Sequence, residues 1–407
     1  MGVKSFLHCH LWRRLPRQWR RAALFQVTSL AAPRPSPIAR ASLPIVVAGT
    51  FRTASGLGQS ARLSHDALKA AGVSVLGVDI TEGMFQPADL EYFSFLDGGK
   101  HTGPGTILLH INSPLVPLAM LRLGRGLVRG KRIIGYWAWE LPDVPLEWHL
   151  GIPFVHEIWV PSAFTANAVK SIAAGRPVHV VPHPVALMTT SRPRILDTTK
   201  RPFTVLTIFD AASSFARKNP FASISAFRRA FGDDPSARLI IKASNLSTCP
   251  QGGDFLANAQ KKSKNIILIT KKLAFSEIEN LHFESDVVLS LHRSEGFGLV
   301  IAEAMSRGLP VVATNWSGNV DFVNEGTGFP IPYTLVPAQD PQGTYHHPTM
   351  YWAEPCVHAA AEALQTLRKD PQLRQRLGQA GAAHAAQVWS IQAYAQRVCR
   401  LLSVSGV

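Results

Sequence analysis

Glu295 and Glu303 stand eight residues apart in SEGFGLVIAEAMSRGLPVVATNWSGNVDFV, residues 294–323, with Gly296, Phe297 and Gly298 between them. A carboxylate accepts hydrogen bonds from hydroxyls. One of the two could hold a sugar and the other a ribose diol. The glycines let backbone N–H groups approach a ligand closely, and a helix starting behind them presents its positive dipole end. A second group has complementary charge. Arg217 and Lys218 precede Asn219-Pro220, a cap followed by a first-turn proline. Two cations beside a helix start make a diphosphate site, whereas an exposed pair of this kind does nothing. A third group is aromatic: Tyr136, Trp137 and Trp139 lead to Glu140. Such faces suit sugar rings, with Glu140 orienting a hydroxyl, and they suit core packing equally. His110, in His110-Ile111-Asn112, is either a satisfied core histidine or a site group.

These residues need elements to position them. Residues 286–291 are an apolar run that predicts a buried strand. The glycine turn follows, then a helix over 299–307 with Gly308 just past its end, a strand over 309–314 and a turn at Ser317-Gly318. Strand, glycine turn, helix, strand is one unit of a parallel α/β sheet. The same reading earlier in the chain gives a strand over 43–49, a glycine turn holding Gly56 and Gly58, a helix over 60–70, and strands over 73–78 and 106–111. His110 then falls at a strand's carboxyl end, where α/β sheets bind ligands. Further strands are expected at 133–140, 156–160 and 178–182, with a helix cap at Ser162. The second half opens with a strand over 203–209 and a helix from Pro220 to about 231, then strands over 238–243 and 265–269. Residues 333–352 show no regular period, and Tyr345, His346, His347 and Trp352 there could border a cleft. Helices are expected over 357–367, 371–386 and 389–402.

The stretch 294–323 resembles the donor-site signature of retaining glycosyltransferases of family 4. Several spaced elements coincide: EGFG, EAM, G-x-P-V-V-A-T and the following SG. The resemblance implies an α/β GT-B fold, two Rossmann-like domains facing across a cleft. It implies that Glu295 contacts the transferred sugar with the backbone of Gly296, Phe297 and Gly298, that Leu299 adjoins this donor site, and that Glu303 holds the nucleotide ribose. Arg217 and Lys218 match its basic pair, Gly56 and Gly58 its loop near the donor phosphates, and residues 270–273 its base-holding loop. His110 corresponds to a histidine near the acceptor, and Trp137, Trp139 and Glu140 fall on the acceptor side. The segments GYWAWE, EIWVPS and VPHP are similar to bacterial transferases that build exopolysaccharide or lipopolysaccharide. The family's glycine after the proline of VP is replaced here by His183-Pro184.

The chain's 407 residues, 46% hydrophobic, suit two domains plus extras. The expected division is 1–40 as a basic, disordered tail, 41–187 as the acceptor-side domain, 188–202 as linker, 203–386 as the nucleotide-sugar domain, and 387–407 as a helix returning to the first domain. No apolar run reaches the roughly 18 residues that a membrane span needs. The four cysteines are scattered without a C-x-x-C, which argues for reduced thiols in a cytoplasmic protein. Of the net charge of +15, residues 1–40 supply +8 through Lys4, Arg13, Arg14, Arg17, Arg20, Arg21, Arg34 and Arg40, with no acid before Asp66. That composition suits a disordered arm, a membrane-surface segment or a targeting peptide. The basic and apolar run 117–132 reads either as a helix for anionic headgroups or as a core helix with a solvated face.

The expectation is a retaining transferase moving a sugar from a nucleotide-diphosphate sugar, with a mild preference for GDP-mannose, to a saccharide or lipid-linked acceptor in cell-surface polysaccharide synthesis. It would be cytoplasmic and peripheral on the inner face of an anionic membrane. No D-x-D occurs, so neither metal nor cofactor is expected. A sugar-nucleotide epimerase shares the fold but gives no reason for the basic tail or aromatic cleft. A nucleic-acid-binding protein would use the charge, yet no RRM, KH or helix-turn-helix pattern is present.

Overall fold

The computed structural model describes residues 17–37, 39–91, 98–185, 201–345, 347 and 349–404. Two parallel six-stranded sheets organise the chain. The first contains β1 (Ile45–Gly49), β2 (Val75–Asp79), β3 (Gly105–His110), β4 (Lys131–Tyr136), β5 (Glu157–Val160) and β6 (Val178–Val180), in the order β2-β1-β3-β4-β5-β6. The second contains β7 (Phe203–Asp210), β8 (Ala237–Ser244), β9 (Ile266–Ile269), β10 (Val287–Ser290), β11 (Val311–Thr314) and β12 (Phe329–Ile331), in the order β12-β11-β10-β7-β8-β9. All residues of β1, β3 and β11 are buried. Their largely apolar runs are what a parallel sheet covered on both faces requires. Register puts Gly49 beside His110, at the carboxyl ends of neighbouring strands.

The helices that cover the first sheet are α1 (Arg17–Ala31), α2 (Gly56–Ala70), α3 (Val116–Val128) and α4 (Ala163–Lys170). Ser55 caps α2 and Ser162 caps α4, each accepting from a first-turn backbone N–H. The second sheet is flanked by α5 (Pro220–Phe231), α6 (Pro250–Lys262), α7 (Phe275–Glu284), α8 (Leu299–Ser306), α9 (Val357–Lys369) and α10 (Pro371–Val388). A last helix, α11 (Ile391–Leu402), buries Tyr394, Ala395, Val398 and Leu402 in one cluster with Ile45, Val47 and Phe51 of the first domain.

Three stretches differ from the sequence expectation. Within the supposed disordered tail, α1 is a packed helix. Phe25, Thr28 and Ala32 recur at helical spacing and bury against the first domain, on α3 and the turn Leu146–Leu150. His156 Nε2 meets Ser36 O at 2.8 Å and Arg132 Nη1 donates to Ala39 O at 3.1 Å, extending the seam. Residues 1–16, and the linker apart from 201–202, lie outside the described residues. The run 117–132 is helical only to Val128 and is interrupted at Gly124, whose φ of +76° a helix does not accommodate. The stretch without a period contains an antiparallel hairpin, β13 (Tyr333–Pro337) with β14 (Tyr351–Pro355).

Candidate functional site

The loop 294–298 joins β10 to α8 and is shaped by glycine twice. Gly298 takes φ +96° at the start of α8. Behind the loop, a Cβ on Gly318 would stand 2.4 Å from the Gly296 oxygen, so only glycine allows this approach. Ser317 Oγ accepts from Glu295 N at 2.7 Å, and Gly318 N donates to Glu295 O at 2.8 Å. Gly296 O accepts from Ser162 Oγ at 2.5 Å and Thr165 Oγ1 at 3.2 Å, both in the first domain. The loop 294–298 is therefore held from both sides.

The Glu295 carboxylate pairs with Lys218 Nζ, and its second oxygen lies 3.3 Å from Arg217 Nη1. Burial alone would raise this carboxyl, but Lys218 and Arg217 outweigh it and hold its pKa down at about 2. Burial first and Arg217 next lower the pKa of Lys218, with Glu295 opposing. Arg217 and Lys218 end a single helical turn, Phe215–Lys218, ahead of Asn219 (φ +48°) and the Pro220 start of α5. Their surroundings differ. Arg217 is 2% exposed and spends its donors on Ser213 O (Nε 3.1 Å, Nη2 2.9 Å) and Ser294 O (Nη1 2.7 Å). Lys218 is the more accessible cation, its side chain 16% exposed.

Glu303, on α8, accepts from Gln59 Nε2 on α2 at 2.7 Å, across the cleft. Burial raises its pKa, opposed by Arg307 and the Gln59 bond. Phe297 buries its ring among Phe322, Trp389 and His183, leaving its backbone for the loop. Leu299 packs, partly buried, at the edge of that cluster. The two glycines of the first domain serve unlike purposes. Gly56 opens α2 with nothing near its hydrogen, whereas a Cβ on Gly58 would stand 2.4 Å from Thr53 O and 2.7 Å from Thr50 O.

His110 is buried beneath this contact. Its Nδ1 meets Ser60 Oγ at 2.7 Å and its ring stacks on Tyr136 at 4.6 Å. Burial, and then His183, push its pKa well below the ordinary value, so the imidazole is neutral. His183 lies in the same network, 3.3 Å from Ser60 Oγ and 3.2 Å from Tyr136 OH, and burial lowers its pKa to about 3. Trp137 does not fit the acceptor-side expectation. It is fully buried, edge-on to Trp148 at 5.8 Å, because it continues β4 into the core. Trp139 is 6% exposed and its Nε1 donates to Asp143 O at 2.7 Å, so its polar edge is committed. Glu140, half-buried, accepts from Tyr345 OH at 2.9 Å.

Sequence reasoning missed Gln59 and Thr165 as members of this junction, placed Ser162 only as a helix cap, and set Tyr345 at the border of a cleft without a partner. The partners carry no local signal, because each comes from the other domain. Among the described residues, no three His, Cys, Asp or Glu side chains are grouped to hold a metal ion, and no helix is long and apolar enough to cross a membrane.

Two parallel sheets meeting through the loops at their carboxyl ends define the GT-B fold, and solved structures share it. Anabaena HepE, in complex with UDP and glucose, superposes with a TM-score of 0.62 over 88% of this chain and 99% of that one, at 16% identity. Sucrose-phosphate synthase from Thermosynechococcus elongatus gives 0.62 over 89% and 98%, at 15% identity. Residues 204–384 match the family of glycosyl transferases group 1. A D-inositol 3-phosphate glycosyltransferase of Paenarthrobacter aurescens is 36% identical over 110 residues, 27% of this chain and 22% of the relative. That of Corynebacterium glutamicum is 29% identical over 175 residues, 41% of this chain and 36% of the relative. The alignments thus span about a fifth to a third of these relatives.

Proposed function

We propose that the protein is a retaining glycosyltransferase that moves a sugar from a nucleotide-diphosphate sugar to a hydroxyl acceptor. The observation that carries this reading is the Lys218–Glu295 pair, set with Arg217 at the carboxyl ends of β7 and β10. The cluster holds an ionised carboxylate and an accessible cation side by side, as a sugar joined to a diphosphate requires. Glu295 accepts a sugar hydroxyl, and Lys218 meets the diphosphate. Glu303 takes the ribose diol once Gln59 turns away. Arg217 acts from behind, fixing the loop and adding charge at short range.

In the reaction, the bond between the anomeric carbon and the diphosphate oxygen breaks as the acceptor oxygen bonds to the same face. The acceptor proton passes to the departing diphosphate. The protein's work is positioning and neutralisation of leaving-group charge. HepE bound to UDP makes UDP-sugars the first donors to examine, with GDP-mannose the alternative. The acceptor is a saccharide, free or lipid-linked, in cell-surface polysaccharide synthesis. Exposed Trp19, Val27, Leu30 and Leu121 share the α1–α3 surface with exposed Arg122, Arg125 and Arg129. That mixture suits peripheral attachment to an anionic membrane on its cytoplasmic side. Thermal unfolding with UDP, GDP, ADP and their sugars tests the donor assignment. A ligand at about 100 times its Kd adds about 2.7 kcal/mol. A protein whose melting responds to none of them has no such site.

A further inference from the structure

The segment between β13 and β14 is a strap across the candidate site. Asp340, 3% exposed, accepts from Ser214 Oγ at 2.8 Å and from the backbone N–H groups of Thr344 (2.9 Å) and Tyr345 (3.0 Å). Gln342 accepts from Phe215 N at 2.6 Å and donates to Ala211 O at 2.9 Å. Ala211, Ser214 and Phe215 belong to the loop that leads to Arg217 and Lys218, so the strap is pinned to the same backbone that presents the two cations. It delivers Tyr345, 7% exposed, into the junction between domains. The Tyr345 ring lies 5.1 Å from the Arg217 guanidinium carbon and 5.3 Å from the Trp139 ring. Its hydroxyl donates to Glu140 Oε2, beyond the end of β4 in the other domain.

We propose that Glu140 binds the hydroxyl of the acceptor and that Tyr345 is its positioning residue, so that the acceptor site exists only where the strap of the second domain meets the first. The proposal rests on the glycosyltransferase reading. Its chemistry is narrow. Among the described residues, Glu140 Oε1 accepts no hydrogen bond, and the side chain is half-buried. A phenol has one hydrogen, and giving it to Oε2 orients the carboxylate and leaves Oε1 open. Burial, and then Glu140, hold the Tyr345 pKa well above its ordinary value, so it stays a donor at neutral pH. A carboxylate only accepts, so its occupant brings a donor. Arg217 and Lys218 both feel the field of Glu140, and their own positive charge disfavours a second cation as the occupant beside them. A neutral alcohol, such as a saccharide hydroxyl, is what remains. It would stand on the first-domain wall, opposite the carboxylate that holds the donor sugar.

The test separates transfer from hydrolysis. Wild-type protein is incubated with UDP-, GDP- and ADP-linked glucose, mannose and N-acetylglucosamine, with and without a panel of methyl glycosides. Nucleoside diphosphate and glycoside product are both quantified. Tyr345→Phe keeps the ring beside Arg217 and removes only the hydrogen bond. It should raise the acceptor KM about tenfold and lower the transfer-to-hydrolysis ratio by a similar factor, with a smaller effect on kcat. Glu140→Gln should lower that ratio further. Equal loss of hydrolysis and transfer in Tyr345→Phe would show that the tyrosine merely supports the fold or the donor. An unchanged ratio in Glu140→Gln would remove Glu140 from the acceptor site. Both outcomes leave the transferase reading standing. Wild-type protein that releases diphosphate from no donor sinks that reading, and this inference with it.

Discussion

Replacing Lys218 by methionine should do two separable things to nucleoside diphosphate binding. It removes a cation from the site, and it releases Glu295, whose first oxygen Lys218 occupies. The first loss is one charge-assisted hydrogen bond to a phosphate oxygen, about 2 kcal/mol. The second is repulsion. Arg217 still touches the other oxygen at 3.3 Å, but the freed carboxylate faces the incoming diphosphate. Two unit charges about 6 Å apart at an effective dielectric of about 20 interact by about 3 kcal/mol. Lys218→Met should therefore weaken UDP or GDP binding by about 5 kcal/mol, three to four powers of ten. Lys218→Met combined with Glu295→Gln removes the repulsion and should recover about 3 kcal/mol of that loss, so the double variant binds about a hundredfold better than the single one. Titration calorimetry of wild type, both single variants and the double variant at fixed ionic strength measures the cycle. A double variant no better than Lys218→Met would show that Glu295 does not face the diphosphate. Normal binding by Lys218→Met would remove the lysine from the site altogether.

Further outcomes follow from burial and close approach. Burial raises the Glu303 pKa, so its ionised form costs folding free energy at neutral pH. Glu303→Gln should raise the urea midpoint at pH 7 while weakening nucleotide binding, and its stability gain should vanish below about pH 4, where the carboxyl is protonated both folded and unfolded. Glu295 has the opposite sign. With its folded pKa held at about 2, its contribution is complete above the unfolded value of about 4.3 and is lost as pH falls toward 2, so Glu295→Gln should flatten acid unfolding over that window. Gly58→Ala should destabilise by several kcal/mol, about 2 or more, because a Cβ would meet two backbone oxygens, while Gly56→Ala should be neutral or gain about 0.5 kcal/mol. Deleting residues 1–40 strips Phe25, Thr28 and Ala32 from the first domain and should lower the melting temperature by several degrees.

The parallel unit around β10, α8 and β11 was legible because apolar runs, a glycine turn and helix formers follow one another within the span of a single local motif. The Asn219-Pro220 start of α5 was legible for the same reason. What escaped was settled over distance. No helix was expected over 250–262, yet Gly252 and Gly253 lie in the first turns of α6, where a Cβ on Gly252 would meet the Phe215 ring at 2.7 Å. The hairpin of β13 and β14 has no period because its strands form a two-stranded sheet apart from the main ones. Trp137 and Trp139 are indistinguishable in sequence and differ only in what they meet past β4. Arg217 and Lys218 are neighbours too, but one turn of helix sends the arginine inward to two carbonyls and leaves the lysine at the rim. The tail looked disordered because its charge count masked a narrow apolar stripe.

The hold of Ser162 and Thr165 on the Gly296 carbonyl bears on modularity. Two-domain proteins of this kind invite recombination, with one domain taken as a portable cassette and joined at the linker to another partner. Here the cassette boundary cuts through the supports of the 294–298 loop. A chimaera with a foreign first domain would inherit the glycines and acids of the 294–303 stretch but leave a buried carbonyl unpaired. A working exchange would have to carry the Ser162–Thr165 turn along with the second domain, as an island of first-domain sequence that travels with its distant partner.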